Sequence, residues 1–446
     1  MKPILLGYLP PVGGLSKRAF SYHQTIVNIG DIAYAFPAAL LTAGRDIHAW
    51  NFSMSAEEVN ERFKHLVFFI PCRIAEPPLD DDKYPFEWTT AFLEKLKIPF
   101  TTAAESVQSR RYEYEPDYHK RLSPKVRRYL QVMADRSRVI GTRGEYSAEI
   151  LDKLGIKNVE PVGCASLYAN GPSLPAALLH KKPFEQVTKI AVNCTNYQYR
   201  PDARTREFLS VAARNEYWYV EQSFNFVPMM LYHDERIGTD DLLEAHRYFG
   251  GFDELWHLYR TDRLRYFTNY KLWREFLAGM DFVFGARLHG NTMALQAGVP
   301  AYFLAPDSRM REVCEFFHLP FTPERSAGVF NAAKFYDAAD YADAFKTYPE
   351  RYRRFLAFLR KNGLSPKVDG DDRIVDYFEP EPAPDVLVET APRGHRARYL
   401  KDVSFLFLFA IAKAMVLTGS AKGLGCLVQR IAQLNARINA SSAGAP

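Results

Sequence analysis

The feature that most constrains this chain is a strand–helix alternation that runs through its first third, breaks, and starts again. Short β-rich apolar runs at 4–8, 65–70, 98–102, 138–142 and 159–162 alternate with amphipathic stretches at 31–41, 86–96, 124–134 and 145–154. A polar, proline-containing stretch at 170–183 interrupts the pattern. Strands then follow at 189–194, 217–221, 264–267, 281–285 and 301–304, with helices at 204–213, 270–278, 291–297 and 310–317. Such alternation predicts parallel sheets covered by helices on both faces. The fold class is therefore α/β, with two Rossmann-like doubly wound domains at 1–175 and 185–363 facing a cleft. In sheets of this kind ligands bind beyond the carboxyl ends of the strands.

That rule directs attention to three strand ends. The most informative is Phe282-Val283-Phe284-Gly285-Ala286-Arg287-Leu288-His289-Gly290, followed at a distance by Gly298-Val299-Pro300. Gly285 ends the apolar run, and Arg287 and His289 fall at the turn into the next helix. Read as extended, that turn points both side chains the same way, beside a helix N-terminus that favours anions. Arginine offers a planar fork of donors to carboxylate or phosphate, and histidine gives or takes a proton near neutral pH. The alternative is an arginine paired with an acid and a histidine bonded to backbone, and the residues alone leave both readings open.

The second strand end is Val139-Ile140-Gly141-Thr142-Arg143-Gly144-Glu145-Tyr146-Ser147, which puts Arg143 in the first domain where Arg287 stands in the second. Two such arginines can face one another across a cleft; otherwise Arg143 serves the acids around Glu145. The third, Pro306-Asp307-Ser308-Arg309-Met310-Arg311, reads as a helix start capped by Asp307, with Arg309 or Arg311 within reach of the same site. Near the start, Asn28-Ile29-Gly30-Asp31 offers a glycine turn and an Asp31 cap for the first helix.

Composition excludes several other classes. A formal net charge of +5, from 57 basic and 52 acidic residues, permits anionic ligands without demanding nucleic acid. The five cysteines, Cys72, Cys164, Cys194, Cys314 and Cys426, form no C-x-x-C pair, which argues against a structural zinc site or a disulfide framework and for free thiols in a reducing cytosol. The apolar run at the N-terminus is too short for a signal peptide. No carboxylate cluster suggests a metal. Aromatic residues make up 14% of the chain, which suits cores and sugar-binding clefts alike.

Taken in order, Asn28-Ile29-Gly30-Asp31, Arg143-Gly144, the Leu154-Gly155-Ile156 context, Arg287-Leu288-His289 and Gly298-Val299-Pro300 resemble the polysaccharide pyruvyltransferase family over about residues 1–325. The resemblance implies a glycosyltransferase-B-like pair of Rossmann-like domains. It also implies transfer of the enolpyruvyl group of phosphoenolpyruvate to two hydroxyls of a sugar, giving a cyclic pyruvate ketal and phosphate. On the matching positions, Arg143 and Arg287 hold the donor, with Asn28, Gly30 and Asp31 as further substrate contacts, and His289 is the general acid or base. Arg309 stands where the family has a lysine, which keeps the charge but argues against a proton-transfer role there. Phosphoenolpyruvate is then a substrate, with no cofactor and no metal, and the acceptor a glycan or lipid-linked oligosaccharide of a surface polysaccharide. Two other readings stay open: a nucleotide-sugar glycosyltransferase of the same architecture, and a non-catalytic glycan-binding protein.

From about residue 364 the composition shifts. Residues 364–402 form a Pro-rich spacer containing Glu379-Pro380-Glu381-Pro382-Ala383-Pro384, and 403–446 an apolar helix followed by a basic, disordered tail. The apolar run at 403–417, interrupted by Lys413 and flanked by basic residues, reads as a helix docked on the body or as a peripheral contact with the inner membrane; it is short for a span. The expected location is cytoplasmic, at the cytoplasmic face of the membrane.

Overall fold

The computed structural model describes residues 54–366 apart from short gaps, together with 4–7, 47–50 and a few single positions before them. The gaps are 69–73, 78–85, 104, 110, 195–202, 223–225, 232–238, 250 and 268–269. Residues 367–446 lie outside the described residues, and with them the expected spacer and the apolar run at 403–417. So do Asn28 and Asp31, whereas Gly30 is buried and helical.

The first half builds a four-stranded sheet from β1 (Ile4–Gly7), β2 (Ile47–Trp50), β3 (His65–Phe68) and β5 (Phe100–Thr102), in the order β2-β1-β3-β5. Every pairing in it is parallel. Two short strands, β4 (Ile74–Ala75) and β6 (Val107–Gln108), pair separately. Parallel bridges Phe100–Ser137 and Glu105–Thr142 lead on to β7 (Ile140–Thr142) and its partner β8 (Val159–Pro161). The covering helices are α1 (Ala56–Arg62), α2 (Phe86–Lys95), α3 (Pro124–Arg136) and α4 (Glu145–Lys153). α1 begins on a capping box, in which Ser55 and Glu58 satisfy each other's backbone N–H groups. α3 opens with Pro124 at its first position, where the missing N–H costs nothing. Their inner faces and β3 and β5 share one core that includes Leu66, Phe68, Leu93, Phe100, Tyr129 and Ile150.

The restart at residue 190 is also found. β9 (Ile190–Asn193), β10 (Trp218–Val220) and β11 (Leu264–Arg265) lie in the order β11-β10-β9, all parallel. Around them are α5 (Ala203–Arg214), α6 (Phe226–Leu231), α7 (Thr239–Phe249), α8 (Asp253–Arg260) and α9 (Tyr270–Ala278). Beyond these come β12 (Phe282–Gly285), α10 (Leu288–Gln296), β13 (Ala301–Ala305), α11 (Ser308–Phe317) and β14 (Phe321–Pro323), with β13 parallel to both β12 and β14. α12 (Ala332–Asp337) and the long α13 (Ala342–Lys361) end the described chain.

Contacts divide the molecule at a different place from the composition break. Among the described residues, one compact unit joins β1 and the stretch from Gly30 to Val187 with the stretch from Arg274 to Pro366, and the other takes Thr188–Trp273. β12 through α13 group with the first half and not with a separate 185–363 domain. The reason is packing within that unit. Tyr168, fully buried, stacks with Phe355 at 5.0 Å and meets Phe317, Tyr348 and Tyr352 within 5.7 Å. Tyr168 Oη donates to the carbonyl of Val162 at 2.8 Å, so the aromatic cluster is tied to the chain just after β8. Arg143 and Arg287, expected in separate domains, therefore belong to one compact unit.

Candidate functional site: an arginine cluster around a buried histidine

Three arginines stand just past the carboxyl ends of parallel strands in this unit: Arg143 after β7, Arg287 after β12 and Arg309 after β13. Each strand is buried throughout, so its end fixes where the following turn sits.

Arg143 is itself almost fully buried, at 2% exposure. Its N–H donates to the carbonyl of Glu105 at 2.9 Å, and Thr142 Oγ1 closes the turn on the carbonyl of Gly144 at 2.9 Å. Gly144 is the N-cap of α4, in an extended conformation any residue can adopt, so space rather than backbone strain demands glycine there. A Cβ at this position would lie 2.4 Å from Cγ of Glu312 on α11. The Glu312 carboxylate fills that space and accepts from the Ser147 N–H at 2.6 Å and the Ser147 hydroxyl at 2.7 Å.

At the second strand end the turn is tighter than the sequence reading supposed. α10 starts at Leu288, not at 291, so Arg287 is its N-cap residue and His289 sits inside the first helical turn. The two side chains are therefore not alternate residues of an extended segment. A helix turns 3.6 residues per revolution, which sends them in different directions from the axis. Asn291 Nδ2 donates to the carbonyl of Gly285 at 2.8 Å, pulling the helix start against the strand end. All nine residues of α10 are buried, and Gly298, at φ +78°, ends the helix as expected.

At the third, Asp307 caps α11 as the sequence indicates, accepting from the Met310 N–H at 3.0 Å. It also holds Arg309, whose Nη2 lies 3.1 Å from Asp307 Oδ2. Arg311 is turned elsewhere: its guanidinium lies 4.1 Å from the ring centre of Tyr114 and its Nε donates to Glu315 at 2.7 Å.

His289 is where these strands' turns meet. Burial, and then the positive charges of Arg143, Arg309 and Arg287, hold its imidazole well below the ordinary histidine range. The ring is therefore neutral at neutral pH, within electrostatic reach of three guanidinium groups. Cys164 Sγ lies 3.9 Å from His289 Nε2 and 3.2 Å from Ser166 Oγ. On Arg143 and on Arg287, Nε and Nη2 are buried. Glu312 balances part of this charge. Burial pushes its carboxyl up to about 7, opposed by the hydrogen bonds from Ser147 and the charge of Arg143.

The structure thus gathers four of the residues singled out in the sequence, Arg143, Arg287, His289 and Arg309. Sequence reasoning missed Glu312, Ser147 and Cys164. One signal for Glu312 was available: an acid among Met310, Val313, Cys314 and Phe317 on a helix that is otherwise apolar on its inner face. Among the described residues no group of three or more His, Cys, Asp or Glu gathers to hold a metal ion.

A protein-family model described as Polysaccharide pyruvyl transferase matches residues 80–308, a little over half of the chain. The chain belongs to the polysaccharide pyruvyl transferase family. The matched span holds Arg143, Arg287 and His289 and stops one residue before Arg309; the Asn28–Asp31 motif precedes it. Membership makes the chain a transferase of this family, with a polysaccharide acceptor as the family's name implies. No curated protein matches the sequence. Among solved structures, HepE of Anabaena in complex with UDP-glucose is 9% identical at TM-score 0.41, covering 81% of this chain and 98% of its own. The UDP-GlcNAc 2-epimerase of Methanocaldococcus jannaschii is 13% identical at TM-score 0.40, covering 80% and 99%. A functionally uncharacterised protein from Klebsiella pneumoniae is 13% identical at TM-score 0.34, covering 71% and 88%. Among the described residues no helix is long and apolar enough to cross a membrane.

Proposed function

We propose that the arginine cluster binds phosphoenolpyruvate and that this pyruvyl transferase moves its enolpyruvyl group onto two hydroxyls of a sugar in a surface or exopolysaccharide, forming a pyruvate ketal and releasing phosphate. The observation that carries the reading is the crowding of Arg143, Arg309 and Arg287 around one buried, neutral imidazole. Three guanidinium groups acting on one buried imidazole, Arg143 buried and Arg287 and Arg309 partly exposed, suit a small ligand bearing both a phosphate and a carboxylate, because each fork offers two parallel charge-assisted bonds. An approaching donor also offsets the mutual repulsion of the cluster.

In this reading Arg143 and Arg287, with Arg309 beside them, hold the donor. A proton added to its methylene carbon makes the neighbouring carbon electrophilic, and one sugar hydroxyl adds there. Phosphate departs with the C–O electron pair, and the second hydroxyl adds to the same carbon, closing the ring. Each hydroxyl gives up its proton; one of the two makes good the proton taken up at the methylene carbon, and the other leaves with phosphate. His289, neutral in the free protein, has a lone pair free to accept one of them. The donor's negative charge then stabilises the imidazolium that results. No cofactor and no metal enter this scheme. The acceptor is a glycan or lipid-linked oligosaccharide, met at the cytoplasmic face of the membrane.

The test is incubation of the protein with isotopically labelled phosphoenolpyruvate and the host's own glycan intermediates. Free phosphate together with a labelled product heavier by one pyruvate ketal is expected. Label remaining in phosphoenolpyruvate, while a sugar nucleotide is turned over to a nucleoside diphosphate, would overturn the proposal.

A further inference from the structure

Glu312 has no part in the scheme above, yet it is a buried acid within electrostatic reach of Arg143. It is 2% exposed, and both its oxygens are used on one residue, Ser147, in the first turn of α4. Ser147 is anchored in turn, because its Oγ accepts the N–H of Val107 at 2.9 Å. The Glu312 side chain packs into the place a Cβ would take at Gly144, directly after Arg143. It therefore bridges two elements that each deliver an arginine: α11, whose first turn carries Arg309, and the β7–α4 turn, which carries Arg143.

We propose that Glu312 is a positioning residue of the anion site: by clamping α11 to the first turn of α4 it sets the spacing of Arg309 and Arg143 around His289. This rests on the reading of that cluster as the donor site. The clamp needs no reacting atom. Its carboxyl lies in the field of Arg143, while Glu145 and Tyr146 on α4 and Tyr114 from the preceding loop face it as well. Glu315 and Arg311, on its own helix, are engaged with Tyr114 and with each other. A carboxyl raised to about 7 adds a second consequence. As it ionises, a negative charge appears beside Arg143 and opposes an incoming anion.

The experiment measures binding of phosphoenolpyruvate by isothermal titration, from pH 6 to pH 8, for the full chain and for Glu312→Gln, Glu312→Ala, Ser147→Ala and Arg287→Ala. At pH 6, where the carboxyl is mostly protonated, Glu312→Ala is expected to lose affinity about tenfold, the scale of one charge-assisted contact put out of place, with Ser147→Ala following in the same direction. Glu312→Gln keeps the shape of the clamp and folds if Glu312→Ala does not. It is expected to match the unmodified protein at pH 6 and to bind about 3- to 10-fold more tightly than it at pH 8, because only the unmodified protein gains the opposing charge. A purely structural role gives no such pH-dependent ratio. Unchanged affinity in folded Glu312→Ala and Ser147→Ala overturns the positioning role, and a constant ratio between Glu312→Gln and the unmodified protein overturns the opposing charge. Unchanged affinity in Arg287→Ala instead overturns the donor-site reading on which it rests.

Discussion

Replacing Glu312 by glutamine should change how the stability of the protein depends on pH, in a window the structure defines. The folded carboxyl is pushed from its ordinary 4.5 up to about 7, chiefly by burial. Between those two values the native protein holds a proton that the unfolded chain has released. Stability contributed by this group is therefore complete below pH 4.5, falls as pH rises through the window, and levels off above about 7. The full excursion is about 3 kcal/mol, because each tenfold change in proton affinity corresponds to about 1.4 kcal/mol. At 2% exposure, solvent screening does little to reduce it. Glutamine cannot ionise, so the variant lacks this decline. Urea denaturation at intervals from pH 5 to pH 8 measures the difference. The stability of Glu312→Gln minus that of the unmodified protein should grow by about 2.5 kcal/mol across the range, most of the full excursion. Parallel curves would refute the reasoning, since they would mean that Glu312 is ionised at the same pH in the folded and unfolded states.

Other predictions follow from the same geometry. Arg287→Ala should weaken phosphoenolpyruvate binding by about 2–4 kcal/mol, measured calorimetrically, because it strips a charge-assisted contact from a sheltered anion. Turnover of His289→Gln, followed by phosphate release, should fall about 10²–10⁴-fold if the imidazole carries a proton. The same ring, followed by nitrogen-detected NMR, should titrate well below pH 6.5 in the free protein and shift upward when inorganic phosphate is added. Its sign on stability is the usual one for a histidine buried neutral: the contribution is present above pH 6.5 and is lost as pH falls below it. Gly144→Ala should cost about 1–3 kcal/mol in urea denaturation, as its Cβ would meet Glu312 Cγ at 2.4 Å.

Much of the architecture is written in local patterns. Runs such as Phe282–Gly285 and Ala301–Ala305 are apolar, bounded by turn residues, and buried on both sides, so their sequence marks them as parallel strands without knowledge of their partners. Asp307 and Gly298 mark helix ends because a cap acts on its own neighbours. The placement of Arg143, Arg287 and Arg309 past strand ends follows from the same logic. What misled was the turn after β12, where a helix begins three residues earlier than its composition suggested. Leu288-His289-Gly290 contains no strong helix signal, and its conformation is fixed by Asn291 reaching back to Gly285.

By itself, then, the sequence determined the α/β class, the parallel strands and which charged residues stand at their carboxyl ends, since each depends on periodicity and capping over a few residues. Only the tertiary structure decided that Arg143, Arg287 and Arg309 crowd the same imidazole, that they share one compact unit, and that Glu312 on α11 clamps the turn beside Arg143. Glu312 and Ser147 are 165 residues apart. A contact across that separation leaves no periodic trace in the chain, because it is set by how buried aromatic and apolar faces pack and not by any local preference.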